Sequence, residues 1–285
     1  MSANTILDSR RLVFIAGLHR SGTSILHACL RDHPQISGFR DTGVREDEGQ
    51  HLQTVLPRCK SYGGSGRFGF HEAAHILESS PLATAENATR MLEEWSRFWD
   101  LTRPVLVEKS PPNLLRTRLL QAMYPEARFL IITRHPVAVS YATQKWTLTT
   151  LRRLLDHWLH CHRLLLNDLP HLNHVHVLKY EEFVRDPVES LAAVHRFLDV
   201  DEMPPPPRVY DANGKYFSWW KQRRVRVIRW KYLPIGLYLY WLERAYEQRT
   251  RHFGYSLQDL NYLGESCLDI ACRRRVPARG EASYP

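Results

Sequence analysis

The stretch LVFIAGLHRSGTSILHACL, residues 12–30, passes from an apolar run through a glycine turn into an amphipathic segment. Leu12–Ala16 reads as a buried strand that Gly17 closes. Ser21, Gly22 and Thr23 open a helix that carries Ile25, Leu26, Cys29 and Leu30 on one face and ends before Pro34. A helix start offers unpaired backbone N–H groups and the positive end of the dipole, so this junction suits an anion. Gly17 and Gly22 allow the backbone to approach phosphate oxygens closely. Arg20 adds a permanent charge with forked donors, and Ser21, Thr23 and Ser24 add hydroxyls. With His19, these residues are the candidate anion loop. Its glycine spacing fits the pattern G-x-x-x-x-G-K-[ST], but Thr23 stands where that pattern has lysine, and the basic residue is Arg20, ahead of the second glycine. This counts against an ordinary ATPase or kinase, whose lysine reaches the β- and γ-phosphates.

Further strands and helices follow in alternation. Pro104–Val107 and Arg128–Thr133 read as strands, the latter apolar on both faces as in the centre of a parallel sheet. His174–Leu178 is a fourth strand. Helices are expected over residues 85–100, from Pro111 or Pro112 through Leu120, from Pro136, over Leu151–Leu169 and over Pro187–Leu198. Residues 34–82 are polar and glycine-bearing, a loop long enough to suggest a functional lid. The alternation predicts an α/β fold, a parallel sheet with helices on both sides. Pro204–Pro207 reads as an extended spacer. Ser218–His252 is mostly helical, interrupted at Pro234 and Gly236. One α/β domain over residues 11–260 is expected, with a helical C-terminal extension and a basic, loosely held tail over residues 264–285.

Composition narrows the class. The 285 residues carry 39 Lys and Arg against 30 Asp and Glu, a formal charge of +9, with 44% hydrophobic residues. Collagenous, low-complexity and fully disordered chains are excluded. The charge points to an anionic partner. Five scattered cysteines suggest a reduced compartment rather than a disulfide framework. No run of about 18 apolar residues and no basic-then-apolar leader is present, so a soluble, cytoplasmic chain is expected. His157, His160 and His162 surround Cys161, but nothing elsewhere pairs with them as metal ligands, and no metal is expected.

The loop G-x-x-R-S-G-T-S after the first strand resembles the 5′-phosphosulfate loop of the sulfotransferases. Three further segments agree in order. RFLIITRHPVAVSYAT (128–143) resembles the family's 3′-phosphate segment, VEKSPPN (107–113) its second-strand segment, and KYEEFVRDPVESL (179–191) the stretch after its fourth strand. Together these cover residues 11–200, about two thirds of the chain. The resemblance implies a P-loop-like α/β fold, a 3′-phosphoadenosine 5′-phosphosulfate (PAPS) donor bound at the loop and Arg134, no metal, and transfer of a sulfuryl group to a hydroxyl or amine. It implies that Arg20 and Lys109 stabilise developing charge.

Two positions depart from the family. The histidine of the cytosolic phenol and steroid branch is replaced by Pro111. In the carbohydrate and tyrosylprotein branches the base is a carboxylate shortly after the first helix, and RDTGVREDEGQ (40–50) offers Asp41, nearest by count, and Glu48, ahead of Gly49. The family's 3′-phosphate serine is Ala142 here, flanked by Ser140 and Thr143. Lys215, in NGKYFSWWK, falls where the cytosolic branch closes a basic loop on the 3′-phosphate. The donor would be an anionic nucleotide. The acceptor is open between carbohydrate, peptide and small molecule, the oligomeric state is open, and no nucleic acid is expected. A kinase-type nucleotide enzyme and a polyanion binder remain as alternatives.

Overall fold

The computed structural model describes residues 6–7, 9–203, 209–225 and 233–273. Its centre is a five-stranded sheet. The strands are β1 (Arg11–Ala16), β2 (Ile36–Gly38), β3 (Val105–Lys109), β4 (Arg128–Thr133) and β5 (His174–Lys179). Every neighbouring pair is parallel, in the order β2-β3-β1-β4-β5. β2 was not expected. It is three residues long, lies at an edge and sits in a polar stretch, so no periodicity marks it.

Alternation along each strand builds two cores. Leu12, Phe14 and Ala16 of β1 face one side, with Leu106, Phe129 and Ile131. Val13 and Ile15 face the other, with Val105, Val107, Leu130 and Ile132. The second core is covered by α1 (Thr23–Arg31), α6 (Tyr180–Arg185) and α7 (Pro187–Leu198). The first is covered by α2 (Ala85–Ser96), α3 (Thr117–Met123), α4 (Pro136–Gln144) and α5 (Leu151–Asp168). Residues from α8 (Gly214–Val225), α9 (Leu233–Arg251) and α10 (Cys267–Arg273) join that same core.

The proline expected to open a helix at 111 or 112 opens a 3₁₀ turn, Pro111–Leu115, and the α-helix starts two residues later. Pro234 falls in the first turn of α9 instead of interrupting it, as its missing N–H permits. The start of the expected loose tail is a helix whose Leu268 is 1% exposed; residues 274–285, like the spacer Pro204–Pro207, lie outside the described residues. The long 34–82 segment carries five short 3₁₀ turns, and its Phe39, Leu56 and Phe68 are buried.

Because all five strands are parallel, their C-terminal ends share one edge. β1 leads to β2 and β3 on one side, while β4 lies on its other side. The crevice between the ends of β1 and β4 is therefore the switch point where such sheets bind ligands.

Candidate active site

At that edge lies an open cleft of about 720 Å³. His19, Arg20, Gly22, Thr23 and Ser24 line it from the β1–α1 turn, and Arg134 lines it from the end of β4. The turn requires its glycines. A Cβ on Gly17 would lie 2.5 Å from the Ile132 carbonyl oxygen, a main-chain atom that cannot yield. Gly22 caps α1 at φ 107°, and a Cβ there would meet the Tyr180 ring at 2.7 Å. Arg20 itself sits at φ 71°. Ser21 is buried, and its Oγ has no partner among the described residues. Thr23, in the place of the Walker lysine, is buried but still borders the cleft.

Arg134 is the hub of a second group of contacts at this edge. Its Nε donates to Asn213 Oδ1 at 2.7 Å and its Nη1 to the Arg20 carbonyl at 2.8 Å. The guanidinium stacks 4.0 Å from the Tyr180 ring centroid. Nη2 is buried and has no partner among the described residues. Burial pulls the guanidinium pKa down, yet such a group stays charged at any working pH. Glu181 braces this arrangement from the start of α6. Its Oε1 accepts from the His135 N–H at 2.9 Å and from Asn213 Nδ2 at 2.7 Å, and its Oε2 from Tyr255 at 3.2 Å. The His135 Nδ1 accepts from the Val137 N–H at α4's first turn, so its Nε2 donates to the Ser256 carbonyl.

The third group comes from β3 and the loop after β2. Lys109 is fully buried at its strand end, and its Nζ donates to the Glu46 carbonyl at 2.6 Å. It stands 3.5 Å from both Glu48 Oε1 and Ser24 Oγ. Glu48 borders the cleft, and its other oxygen, Oε2, accepts from Gln50 Nε2. Its shape depends on an unusual loop: Asp41, Glu46 and Asp47 all have left-handed φ, between 48° and 56°. Asp47 pins that loop, accepting from Thr42 N and Oγ1 at 3.0 and 2.8 Å and from Arg31 at 3.0 Å. Gly49 then passes against Glu108, whose Oε1 a Cβ there would overlap. Close approach, rather than a turn, is the reason for that glycine. Glu108 itself is wholly buried, accepts from Ser110 and Asn113, and has its pKa pushed up to about 7 by burial.

The candidates from sequence divide accordingly. Arg20, Thr23, Ser24, Arg134, Lys109 and Glu48 are brought together. Asp41 is exposed and does not border the cleft. Glu46 does border it, with Oε2 accepting from Ser24 at 3.0 Å. Ser140 and Thr143 are buried with no partner for their hydroxyls among the described residues. They line a small cavity with His19 and His157, and His19 also lines the cleft. Lys215 is exposed in the first turn of α8 and does not border the cleft, while the nearby Asn213 binds Arg134. His157 Nε2 accepts from the Gly69 N–H, and His162 Nδ1 bonds the Trp158 carbonyl.

Four residues escaped the sequence reading. Tyr180 and Glu181 fall within a stretch already singled out, but only the folded chain puts them on Arg134. Asn213 carries no local signal. Trp146, at the end of α4, is held between Arg20 at 4.5 Å and Arg45 at 4.8 Å.

A family model described as "Sulfotransferase family" matches residues 13–205. Protein-tyrosine sulfotransferase 2 of Gallus gallus is 26% identical over 198 residues, covering 66% of this chain and 51% of that protein. Protein-tyrosine sulfotransferase of Drosophila melanogaster is 26% identical over the same length, covering 66% and 38%. The chain thus spans about half, or less, of these curated relatives. A solved sulfotransferase from Alicyclobacillus acidocaldarius aligns with 19% identity and a TM-score of 0.45, over 82% of this chain and 95% of that one.

Proposed function

The chain belongs to the sulfotransferase family, and from that membership we propose that it moves a sulfuryl group from PAPS to a hydroxyl or amine acceptor. The observation that carries this reading is the buried, partnerless Nη2 of Arg134 beside a glycine-built helix start that offers free N–H groups. An unmet charged donor costs about 1–3 kcal/mol or more, and an anion at that point removes the cost. The residues fit the donor. The Gly17–Ser24 turn and Ser21 Oγ suit its 5′-phosphosulfate, and Arg134, braced by Asn213 and Tyr180, suits its 3′-phosphate.

The donor supplies an activated sulfuryl group with a bisphosphate leaving group. This chain supplies position and charge. Lys109 and Arg20 neutralise negative charge that grows on the transferring and leaving oxygens. Glu48 takes the proton from the acceptor as its oxygen or nitrogen bonds to sulfur and the bond to the 5′-phosphate breaks. Glu48 is favoured over Asp41 by its place against Lys109 on the cleft wall. The acceptor enters past Arg45, His51, Lys60 and the Gly63–Gly64 turn. Incubation with sulfur-labelled PAPS and a panel of phenols, sugars, amines and tyrosine peptides tests the reading. Label on at least one acceptor, lost with Lys109→Ala, is the expected result; label on none, with the donor intact, would contradict it.

A further inference from the structure

We propose that the face built from α8, α9 and the 145–150 loop docks on the surface of an anionic lipid bilayer. This goes beyond the transfer reaction and does not depend on it.

Positive charge is dense along this part of the sequence. Residues 214–252 hold ten Lys and Arg but only Glu243 and Glu247 as acids. Nearly all of the chain's +9 thus falls within this stretch. Glu243 is buried, and Glu247 is occupied by Ser256, by the main-chain N–H of Leu257 and by Arg251. Such a stretch is drawn to an anionic headgroup layer, and each Lys or Arg near that surface strengthens binding roughly fivefold.

The face is also apolar in a way the fold does not use. Leu239, Leu242 and Tyr246 turn α9 into the core. Leu237, Tyr240, Trp241 and Arg244 follow the same helical spacing on the outside. Leu237 is 56% exposed and Trp241 46%. Trp219 of α8 is exposed as well, and so is Leu148 of the 145–150 loop, at 98%. Two cations tie it together. Arg152 lies 5.2 Å from the Trp241 ring, and its N–H donates to the Tyr238 hydroxyl at 3.3 Å. Lys145 lies 5.1 Å from the Trp219 ring. Tryptophan, tyrosine and long cations with exposed leucines are the set that settles at the headgroup boundary. Trp146, within the same loop, borders the cleft, so the docked face adjoins the mouth of the site.

Other partners fit less well. The face lies on the surface and does not cross a membrane: no helix among the described residues is long and apolar enough, and α9 carries Arg244, Arg249 and Arg251. Bases stack on free ring faces, but Arg152, Lys145 and Arg244 already cover one face each of Trp241, Trp219 and Tyr240. Leu148 and Leu237 gain nothing from phosphates. A second copy would bring the same positive charge to the contact.

Flotation of the full chain with vesicles tests this, without donor or acceptor present. Wild type should rise with vesicles of phosphatidylcholine plus phosphatidylglycerol and stay down with phosphatidylcholine alone. The variant Leu237→Ala/Trp241→Ala should lose at least tenfold in binding to the anionic vesicles while keeping its affinity for adenosine 3′,5′-bisphosphate, which shows that it is folded. No flotation by wild type would overturn the proposal. So would undiminished flotation of the variant, or binding to duplex DNA as tight as to the vesicles with the same salt dependence.

Discussion

Arg134 Nη1 donates to the main-chain carbonyl of Arg20 at 2.8 Å, so one side chain from β4 fixes the turn that follows β1. Arg20 holds a left-handed φ of 71° at that turn. A single guanidinium thereby ties the β1–α1 turn to the end of β4, and under the proposed function the two anion positions of the donor are set by it.

That guanidinium is itself held by Asn213, a residue with no local sequence signal. Asn213→Ala should weaken binding of adenosine 3′,5′-bisphosphate about tenfold, the scale of one lost charge-assisted hydrogen bond. Lys215→Ala, on an exposed side chain nearby, should change it less than twofold. Titration calorimetry on the two variants checks both.

Glu48 and Asp41 make opposite predictions. Glu48→Gln should lower kcat by about 10²–10³, in the range of a lost general base, with donor affinity nearly unchanged. Asp41→Asn should leave kcat within about twofold, since the side chain is exposed away from the cleft. Steady-state rates with any acceptor found in the labelled-sulfate screen decide it. Equal losses in both variants would show that Glu48 is not the general base.

Gly49 should be intolerant of substitution. A methyl group there would overlap Glu108, which Ser110 and Asn113 hold in place. Gly49→Ala should cost about 1–3 kcal/mol, as other overpacked interiors do, and should also slow transfer by moving Glu48. Thermal unfolding and kcat together test it, and a variant as stable as wild type would show that the loop has room to yield.

Acid should destabilise the protein before it reaches the carboxylate range. Burial lowers His19, His27 and His157 to about 3, and His135 and His162 to about 4. Below about pH 6.5 the unfolded chain binds protons these groups refuse when folded, so each weakens stability by about 1.4 kcal/mol per pH unit. Glu108 acts in the opposite sense. Its folded pKa of about 7 lies above the unfolded value of 4.5, so it favours the folded state at low pH and loses that contribution as pH rises from 4.5 to 7. Five histidines outweigh one carboxyl, and the midpoint of thermal unfolding should fall steadily from pH 7 to 5. In Glu108→Gln that fall should be steeper. A midpoint flat over this range would contradict the histidine assignment.

The strand–turn–helix at residues 12–30 was legible because its requirements are local: a strand, two glycines and a helix start. The place of Arg134 at this edge was legible for the same reason, between an apolar strand and a proline-led helix. The choice among carboxylates was not, because three left-handed residues in the 41–47 loop decide which side chain turns inward, and left-handed φ at aspartate or glutamate leaves no mark in sequence. Between Ser140 and Thr143 the sequence offers no choice, because α4 is buried all round, from Pro136 to Thr143, so no polar face shows where its hydroxyls point. Tyr180, Glu181 and Asn213 meet Arg134 only through long-range packing.

The most direct test is calorimetric titration of the full chain with adenosine 3′,5′-bisphosphate, with ATP and 5′-AMP as competitors and Arg134→Ala alongside. The bisphosphate should bind at least tenfold tighter than either competitor, and Arg134→Ala should remove that preference. Equal affinity for all three, or a preference that survives Arg134→Ala, would contradict a donor site built on the β1–α1 turn and Arg134.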